Sequence, residues 1–137
     1  AVAGLDWYEI SNWAEPGHEC RHNLLYWTMG EYQGIGCAAH SHRAGRRFWN
    51  LRTPDRYLDA IERGASAEAA DERLDPDARA LEALQLSLRT RHGVPASSLA
   101  REGVGELVTE HPTDPDRVVL TVAGRLLANE VALRLHA

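Results

Sequence analysis

The sequence contains no lysine, and all 15 of its basic residues are arginine. It has only two cysteines, too few for the disulfide framework of a small secreted domain. We therefore expect a reducing compartment, most simply the cytoplasm. No apolar run approaches the roughly 18 residues that a membrane-spanning helix needs, and no signal segment opens the chain. With 44% hydrophobic and 26% charged residues, the composition predicts a soluble globular protein without a membrane span.

Aromatic residues and cysteines are absent from residues 58–137, where 14 acidic residues outnumber nine arginines. The first 57 residues hold all nine aromatic residues, both cysteines and four of the seven histidines. We therefore expect the chemistry in this first part. The net charge of −5 disfavours a nucleic-acid partner, because phosphates require a basic protein face. A winged-helix DNA-binding module, a third class of function, is disfavoured for the same reason.

Local patterns predict several elements. The run "LDWYEIS" favours a strand, and "YQGIGCAAHS" favours a buried strand that ends in a tight loop. Two helices are indicated by a capping residue followed by proline, at Thr53-Pro54 and at Asp75-Pro76. The first helix has an apolar face that consists of Tyr57, Leu58 and Ile61. Between these helices, "GASAEAADER" at residues 64–74 is polar and alanine-rich, and indicates a domain boundary.

The second half has the pattern of a small domain with its own core. Helical spacing predicts an apolar stripe at Leu81, Leu84 and Leu88. A short helix is expected over residues 95–102, and "DRVVLT" is typical of a strand. Thr121 is then expected to cap a last helix whose apolar residues recur every four positions, at Leu127, Val131 and Leu135. This order of elements is typical of a winged-helix-like domain, and residues 75–137 are expected to fold without help.

Two clusters of metal-binding residue types lie in the first part. "HECRH" contains His18, Cys20 and His22, and "CAAHSH" contains Cys37, His40 and His42. Two thiolates and two imidazoles could form a tetrahedral zinc site. Neither cluster has the Cys-x-x-Cys spacing of zinc ribbons, so buried free thiols are favoured over zinc, and a disulfide is disfavoured further.

Haem is a second candidate ligand for the stretch "HNLLYW". A neutral imidazole is the usual proximal ligand of haem iron, and aromatic rings pack against a flat porphyrin. Spacing alone favours the simpler alternative, in which Tyr26 and Trp27 are core residues and His22 caps a turn.

Arginines and glycines in the following stretch allow further hypotheses. Arginine forks suit the carboxylates of porphyrin propionates, although a solvated arginine face is the more common explanation. The arginines concerned are Arg43, Arg46, Arg47, Arg52 and Arg56. "GIGCAAH" lacks the third glycine of a dinucleotide fingerprint, so nucleotide binding is rejected there. Gly34 and Gly36 are instead expected to allow close backbone approach.

Three stretches in order, "WYEISNWAEPGHECRHNLLYW", "YQGIGCAAHSH" and "NLRTPDRYLDAI", resemble the later part of HemW-type proteins. These are radical SAM proteins related to oxygen-independent coproporphyrinogen III oxidase. The tail, "ALEALQLSLRTRHGV" with "RVVLTVAGRLLANEVALRL", is similar to the family's C-terminal domain. The resemblance implies an α+β fold. Residues 1–64 would be the last strands of a radical SAM (β/α) barrel, and residues 65–137 a mainly helical, winged-helix-like domain.

The resemblance also implies site residues. The family's haem-chaperone branch carries His-Asn-x-x-Tyr-Trp, which matches His22, Asn23, Tyr26 and Trp27, so these residues would bind haem with His22 as the iron ligand. The loop containing Gly34, Gly36, Ala38 and His40 would lie near the cofactors, although Ala38 stands where the family usually has glycine. Independently of the resemblance, Arg46, Arg47 and Arg52 are the candidates for binding haem propionates, for the reason given above.

Cofactors and partners follow from the same resemblance. The parent protein would hold a [4Fe-4S] cluster and S-adenosylmethionine, but the family's Cys-x-x-x-Cys-x-x-Cys is absent from this chain. A C-terminal fragment is therefore expected, without radical activity of its own. The parent would bind haem and deliver it to haem-dependent client proteins. An oxidase that decarboxylates coproporphyrinogen III is the alternative. Strands near Trp7–Ile10 and Gln33–Cys37 are expected to have unpaired edges, through which the fragment would self-associate.

Overall fold

A computed structural model describes residues 4–137. The elements in the first part of the chain are β1 (Asp6–Glu9), β2 (Asn12–Ala14), α1 (Arg21–Trp27), β3 (His40–Arg43), β4 (Arg46–Asn50), α2 (Pro54–Glu62) and β5 (Glu68–Arg73). The second part contains α3 (Pro76–Ser87), β6 (Val94–Pro95), β7 (Val108–His111), β8 (Asp114–Leu120), α4 (Val122–Leu126) and α5 (Ala128–Ala132). Residues 65–137 thus contain four strands, and are less helical than expected. No helix among residues 4–137 is long and apolar enough to cross a membrane.

The chain forms two compact units. The first unit combines the segment up to Thr28 with Pro76–Ala137, and the second is Met29–Asp75. The segment at residues 64–74 is not a linker, because it contains β5.

The first unit has an apolar core around a three-stranded antiparallel sheet in the order β6-β8-β7. Leu88, Val94, Val118 and Val131 are fully buried in this core. The predicted leucine stripe on α3 is confirmed, because Leu81 and Leu84 pack against the same cluster as Leu88. The predicted strand "DRVVLT" is β8, whereas its partner β7 was not predicted.

The end of the first unit departs from the sequence prediction. The helix expected over residues 95–102 is only a 3₁₀ turn at Ala96–Ser98. Thr121 is the predicted N-cap, and its hydroxyl accepts a hydrogen bond from the Gly124 N–H at 3.0 Å. The last helix is broken into α4 and α5, because Leu127 has φ −115° and ψ 28°. Leu127 is consequently 49% exposed rather than buried.

The segment before α1 shares the core of the tail. β1 confirms the predicted strand, pairs antiparallel with β2 and forms an isolated bridge from Glu9 to Thr90. The Arg91 N–H donates to the Tyr8 carbonyl at 3.0 Å, and Ile10 packs against the core cluster. The packing therefore gives no support to independent folding of residues 75–137. One edge of β1 is paired with β2, so the expectation of unpaired edges at Trp7–Ile10 is wrong for that edge. The other edge has the isolated bridge from Glu9 to Thr90 among the described residues.

The second unit contains a three-stranded antiparallel sheet in the order β3-β4-β5. The strand predicted over "YQGIGC" is absent: this stretch is a loop with an isolated bridge between Tyr32 and His42, and the strand begins only at His40. Gly36 and Ala38 have φ values of +102° and +58°. Left-handed residues two positions apart are incompatible with an extended strand, which explains the wrong prediction.

Helix α2 confirms its predicted boundaries. Thr53 is the N-cap, proline is in the first turn, and Gly64 follows the helix with φ +65°. The predicted apolar face is not buried, since Leu58 and Ile61 are 54% and 53% exposed. Only Ala60 of this helix is buried.

Candidate functional site

The stretch "HNLLYW" lies on the short helix α1, which the sequence did not predict. The helix begins with the Leu24 N–H donating to the Cys20 carbonyl at 3.0 Å. It ends where the Thr28 hydroxyl donates to the Leu24 carbonyl at 2.8 Å. None of its residues is fully buried. His22 lies within this helix rather than capping a turn, and Tyr26 is exposed, so the simpler alternative from spacing is wrong for these two residues. Trp27 is half-buried, as that alternative expected in part.

His22 and Tyr26 form a pair on the exposed side of α1. They are four residues apart, a spacing that places side chains together on a helix surface. The Tyr26 hydroxyl lies 3.1 Å from His22 Nε2, and the two rings meet edge to face with centroids 5.0 Å apart. The imidazole is therefore oriented and solvent-accessible, and a metal at Nε2 would displace the Tyr26 hydroxyl.

Asn23, the next residue of the helix, attaches α1 to β1. Its amide Nδ2 donates to the Tyr8 hydroxyl at 3.4 Å and to Glu9 Oε1 at 3.3 Å. Glu9 is fully buried, and it also accepts hydrogen bonds from the Asn12 amide and the Ser11 backbone N–H. A buried carboxylate requires such donors, because an unpaired one is costly. Sequence reasoning missed Tyr8 and Glu9, since only the fold brings them to Asn23.

Trp27 lies on the same side of α1 as Asn23, four residues later, and is half-buried. Its indole Nε1 is buried and has no hydrogen-bond partner among the described residues. The four motif residues therefore separate into two pairs. His22 and Tyr26 are exposed, while Asn23 and Trp27 hold the helix in place.

The loop predicted near the cofactors is held by three side chains that the sequence did not single out for the site. Gly34 N–H donates to the Ser41 hydroxyl at 2.9 Å. Gly36 N–H donates to the Tyr57 hydroxyl at 3.2 Å, and its carbonyl accepts from the Asn50 amide at 2.9 Å. Ser41 and Asn50 are buried, so these bonds are shielded from water. Backbone polar groups of a loop need such partners, which defines the loop shape without strand pairing.

Two positions in this loop test the expectation of close backbone approach. A Cβ at Gly34 would overlap the His40 carbonyl, so Gly34 does permit close approach to a neighbouring segment. Ala38 has φ +58°, a conformation that favours glycine, the residue that the family usually has there. The imidazole of His40 stacks on the Trp49 ring at 5.6 Å between centroids.

The arginines proposed for propionates differ in how they are paired. Arg46 contacts Glu68 and Asp71, the latter at 2.8 Å, and its guanidinium lies 4.8 Å from the centre of the Phe48 ring. The hydrogen bond from Arg46 lowers the pKa of the Asp71 carboxyl.

Arg47 forms an ion pair with Glu72 at 3.2 Å. Arg52 is exposed and forms no ion pair with a described residue. A propionate would have to compete with protein carboxylates at Arg46 and Arg47, but not at Arg52.

The cysteines do not form the alternative zinc site. Cys20 and Cys37 are both free and exposed, so the expectation of buried thiols is wrong. Within residues 4–137, no group of three or more His, Cys, Asp and Glu side chains could hold a metal ion. The zinc hypothesis from the "HECRH" and "CAAHSH" clusters is therefore contradicted.

His42 has a setting that the sequence did not reveal. It is 6% exposed, and its Nδ1 lies 3.0 Å from the Gly30 carbonyl, which can only accept a hydrogen bond. This contact places a proton on Nδ1. His42 lines a cleft of about 270 Å³ together with Glu31, Tyr32, Gln33 and Arg43.

The fold resembles part of a solved radical SAM enzyme. The coproporphyrinogen III oxidase HemN of Escherichia coli, described as a radical SAM enzyme, matches with a TM-score of 0.65 and 16% identity. The match covers 95% of this chain and 36% of the oxidase. At this identity the similarity concerns the fold alone: the chain is a mixed α/β structure like a portion of that enzyme.

Comparison of sequences identifies the kind of protein that this chain resembles. The chain is 39% identical to "Heme chaperone HemW" of Mycobacterium tuberculosis over 140 residues, which cover 98% of this chain and 36% of the relative. It is 42% identical to the Synechocystis protein of the same name over 94 residues, covering 67% and 23%. No family model matches the chain. The chain thus resembles HemW proteins, and spans about a third of the length of the Mycobacterium relative.

Proposed function

We propose that this chain is the C-terminal portion of a HemW-like haem chaperone and contributes the haem-binding helix α1. The main support is the separation of the motif into two pairs. His22 and Tyr26 are exposed and in contact at 3.1 Å, while Asn23 holds the helix against buried residues of β1. An oriented, accessible imidazole beside an aromatic ring suits axial ligation of haem iron.

The proposed architecture follows the family. Residues 1–64 would be the last strands of the radical SAM barrel and residues 65–137 a winged-helix-like C-terminal domain. The similarity in fold to the E. coli oxidase supports this proposal. The antiparallel β7–β8 hairpin and the preceding helix α3 are compatible with a winged-helix arrangement.

The [4Fe-4S] cluster and S-adenosylmethionine belong to the rest of the proposed parent. This chain has two cysteines, one fewer than the cluster motif requires, and both are exposed and far apart in sequence. The donor set therefore does not fit the cluster. The loop of Gly34, Gly36, Ala38 and His40 is proposed to lie near these cofactors in the parent. Its rigid hydrogen-bonded shape supports a role in positioning.

Haem delivery defines the proposed partners. The parent would bind haem in the cytoplasm and transfer it to haem-dependent client proteins. An exposed iron ligand supports transfer, since a client can reach the haem without unfolding of the donor. Of the three arginines proposed for propionates, Arg46 and Arg47 already have carboxylate partners, whereas Arg52 forms no ion pair with a described residue.

Haem titration of the 137-residue chain tests this proposal. We expect a shifted Soret band on binding and a loss of about tenfold or more in affinity for His22→Ala. The matched control is His136→Ala, which removes another exposed histidine. Tyr26→Phe keeps the ring but removes the hydroxyl that occupies Nε2, so it should bind haem at least as tightly as the unchanged chain. Equal affinity of His22→Ala and the control would refute His22 as the ligand.

The alternative parent is an oxidase that decarboxylates coproporphyrinogen III. At 16% identity the E. coli oxidase shares the fold alone with this chain, whereas the 39% identity to a HemW protein favours the chaperone. The full-length parent, with its cluster reconstituted and S-adenosylmethionine present, decides between them. Conversion of coproporphyrinogen III would support the oxidase, and haem transfer to an apo-protein without conversion would support the chaperone.

We still propose that the isolated chain self-associates, but for a different structural reason from the one that the sequence suggested. Exposed apolar side chains, rather than an unpaired β1 edge, now support it. Ile35 is 88% exposed in the second unit, and Trp13 is 54% exposed on the short strand β2 of the first unit. Size-exclusion chromatography of the chain and of Ile35→Ser and Trp13→Ser tests it. A chain that is monomeric at every concentration would contradict the proposal.

A further inference from the structure

A cleft of about 350 Å³ lies in the first unit, away from the haem motif in the sequence. Its lining includes Ile10, Arg89, Arg125, Leu126, Asn129 and Glu130. This volume is near the lower end of those found for small-molecule sites, which combine an apolar lining with a few polar groups. Two arginines supply the positive charge of this cleft.

Arg125 is held in place by an aromatic ring. Its guanidinium carbon lies 3.6 Å from the centre of the Trp7 ring, which is a stacked cation–π contact. Its Nε is buried and has no hydrogen-bond partner among residues 4–137. A buried donor without an acceptor is unfavourable unless a ligand supplies one.

Arg89 is positioned by its neighbours. One terminal nitrogen donates to Asn129 Oδ1 at 2.7 Å, and the other contacts the Gln85 carbonyl. These neutral acceptors orient the guanidinium without neutralising its charge. Burial lowers the pKa of both Arg89 and Arg125, because it disfavours the charged form.

Other arginines of the same chain differ from this pair. Arg46, Arg47, Arg63 and Arg91 each form an ion pair with a carboxylate. Glu130 lines the cleft, but among the described residues it forms no ion pair with Arg89 or Arg125. In a chain with 20 acidic residues, two partly buried arginines at one cleft that form no ion pair with a described carboxylate indicate a place for an external anion.

We propose that this cleft binds a small organic acid, with its carboxylate between Arg89 and Arg125 and its apolar chain against Ile10 and Leu126. A carboxylate accepts two hydrogen bonds from an arginine fork and would satisfy the buried Arg125 Nε. Leu126 is 85% exposed, and an apolar chain would cover it. The inference concerns a second site and does not depend on haem binding.

Titration of the isotope-labelled 137-residue chain with hexanoate tests the proposal. The readouts are the NMR signals of the Trp7 indole N–H and the Arg125 Nε–H. Hexanoate should shift both signals in a saturable manner. Hexanol, which lacks the charge, and acetate, which lacks the chain, should each bind about tenfold more weakly or worse, because each loses one part of the interaction.

Arginine variants distinguish specific binding of hexanoate in the cleft from nonspecific attraction of an anion to the surface. Arg125→Gln and Arg89→Gln should each lower the affinity for hexanoate by about tenfold, as expected for loss of a charge-assisted hydrogen bond. The matched control Arg101→Gln removes an exposed arginine and should leave hexanoate affinity unchanged. If Arg125→Gln does not fold, Arg125→Lys keeps the charge, loses the planar fork and should still weaken binding. Equal binding of hexanol, unsaturable shifts or unaffected arginine variants would overturn the proposal.

Discussion

The two compact units are stabilised by different kinds of buried residue. In the first unit the fully buried side chains include Leu88, Val94, Val118 and Val131, which share one apolar cluster. In the second unit the buried residues are Ser41, His42, Asn50 and Ala60, and three of these four are polar. The larger apolar residues Leu58 and Ile61 of the second unit are instead half-exposed.

This difference in buried residues indicates a different structural role for each unit. Burial of apolar surface is not directional and supplies most of the stability of a fold. Buried hydrogen bonds contribute little net stability but require defined geometry. The first unit therefore provides stability, whereas the second unit holds the loop from Gly34 to His40 in one shape.

The largest expected effect is the loss of core packing in the first unit. Leu88→Ala should lower the free energy of unfolding by about 2–5 kcal/mol, because it leaves a cavity in a fully buried position. Leu133→Ala and Leu58→Ala, at residues that are 76% and 54% exposed, should each cost less than about 0.5 kcal/mol. Urea unfolding measures all three. An equal loss in Leu58→Ala would mean that the second unit has an apolar core after all.

Overpacking of the loop in the second unit should have the next largest effect. Gly34→Ala places a methyl group against the His40 carbonyl and should cost about 1–3 kcal/mol. The control is Gly105→Ala, where no atom lies within 4 Å of the added group and φ is not positive. Thermal unfolding of both variants is sufficient, and equal melting temperatures would contradict the close approach at Gly34.

Removal of one loop hydrogen bond should have a moderate effect. Asn50→Ala leaves the Gly36 carbonyl without its amide donor and should destabilise the chain by about 1–2 kcal/mol. Amide exchange at Gly36 and Ala38 should become faster if the loop loses its shape. Glu62→Ala removes an exposed side chain of the same unit, away from the loop contacts, and is the control. Unchanged exchange in Asn50→Ala would show that the loop is held by other contacts.

The smallest effect concerns the left-handed residue of the loop. Ala38→Gly should stabilise the chain by about 0.5 kcal/mol, because glycine adopts φ +58° without strain. Ala39→Gly, at the next position, should instead destabilise it by about 0.5–1 kcal/mol. Both changes are measured by urea unfolding. A loss of stability in Ala38→Gly would show that chain entropy outweighs backbone strain.

By itself, the sequence determined the features that depend on neighbouring residues. It predicted β1, the helices α2 and α3, the leucine stripe that ends at Leu88, and the strand β8. It also carried the resemblance to HemW-type proteins, because ordered motifs survive where overall identity is 39%. Caps, prolines and helical spacing act within a few residues, so they can be recognised without the fold.

Only the tertiary structure decided which distant residues meet. It formed the helix α1 and turned Asn23 towards Glu9, 14 positions earlier, while His22 and Tyr26 remained exposed. It also paired Arg46 with Glu68 and brought Asn50 to the Gly36 carbonyl. Such contacts depend on long-range packing, which no local pattern encodes, so the loop geometry and the free charge at Arg89 and Arg125 could not be predicted from the sequence.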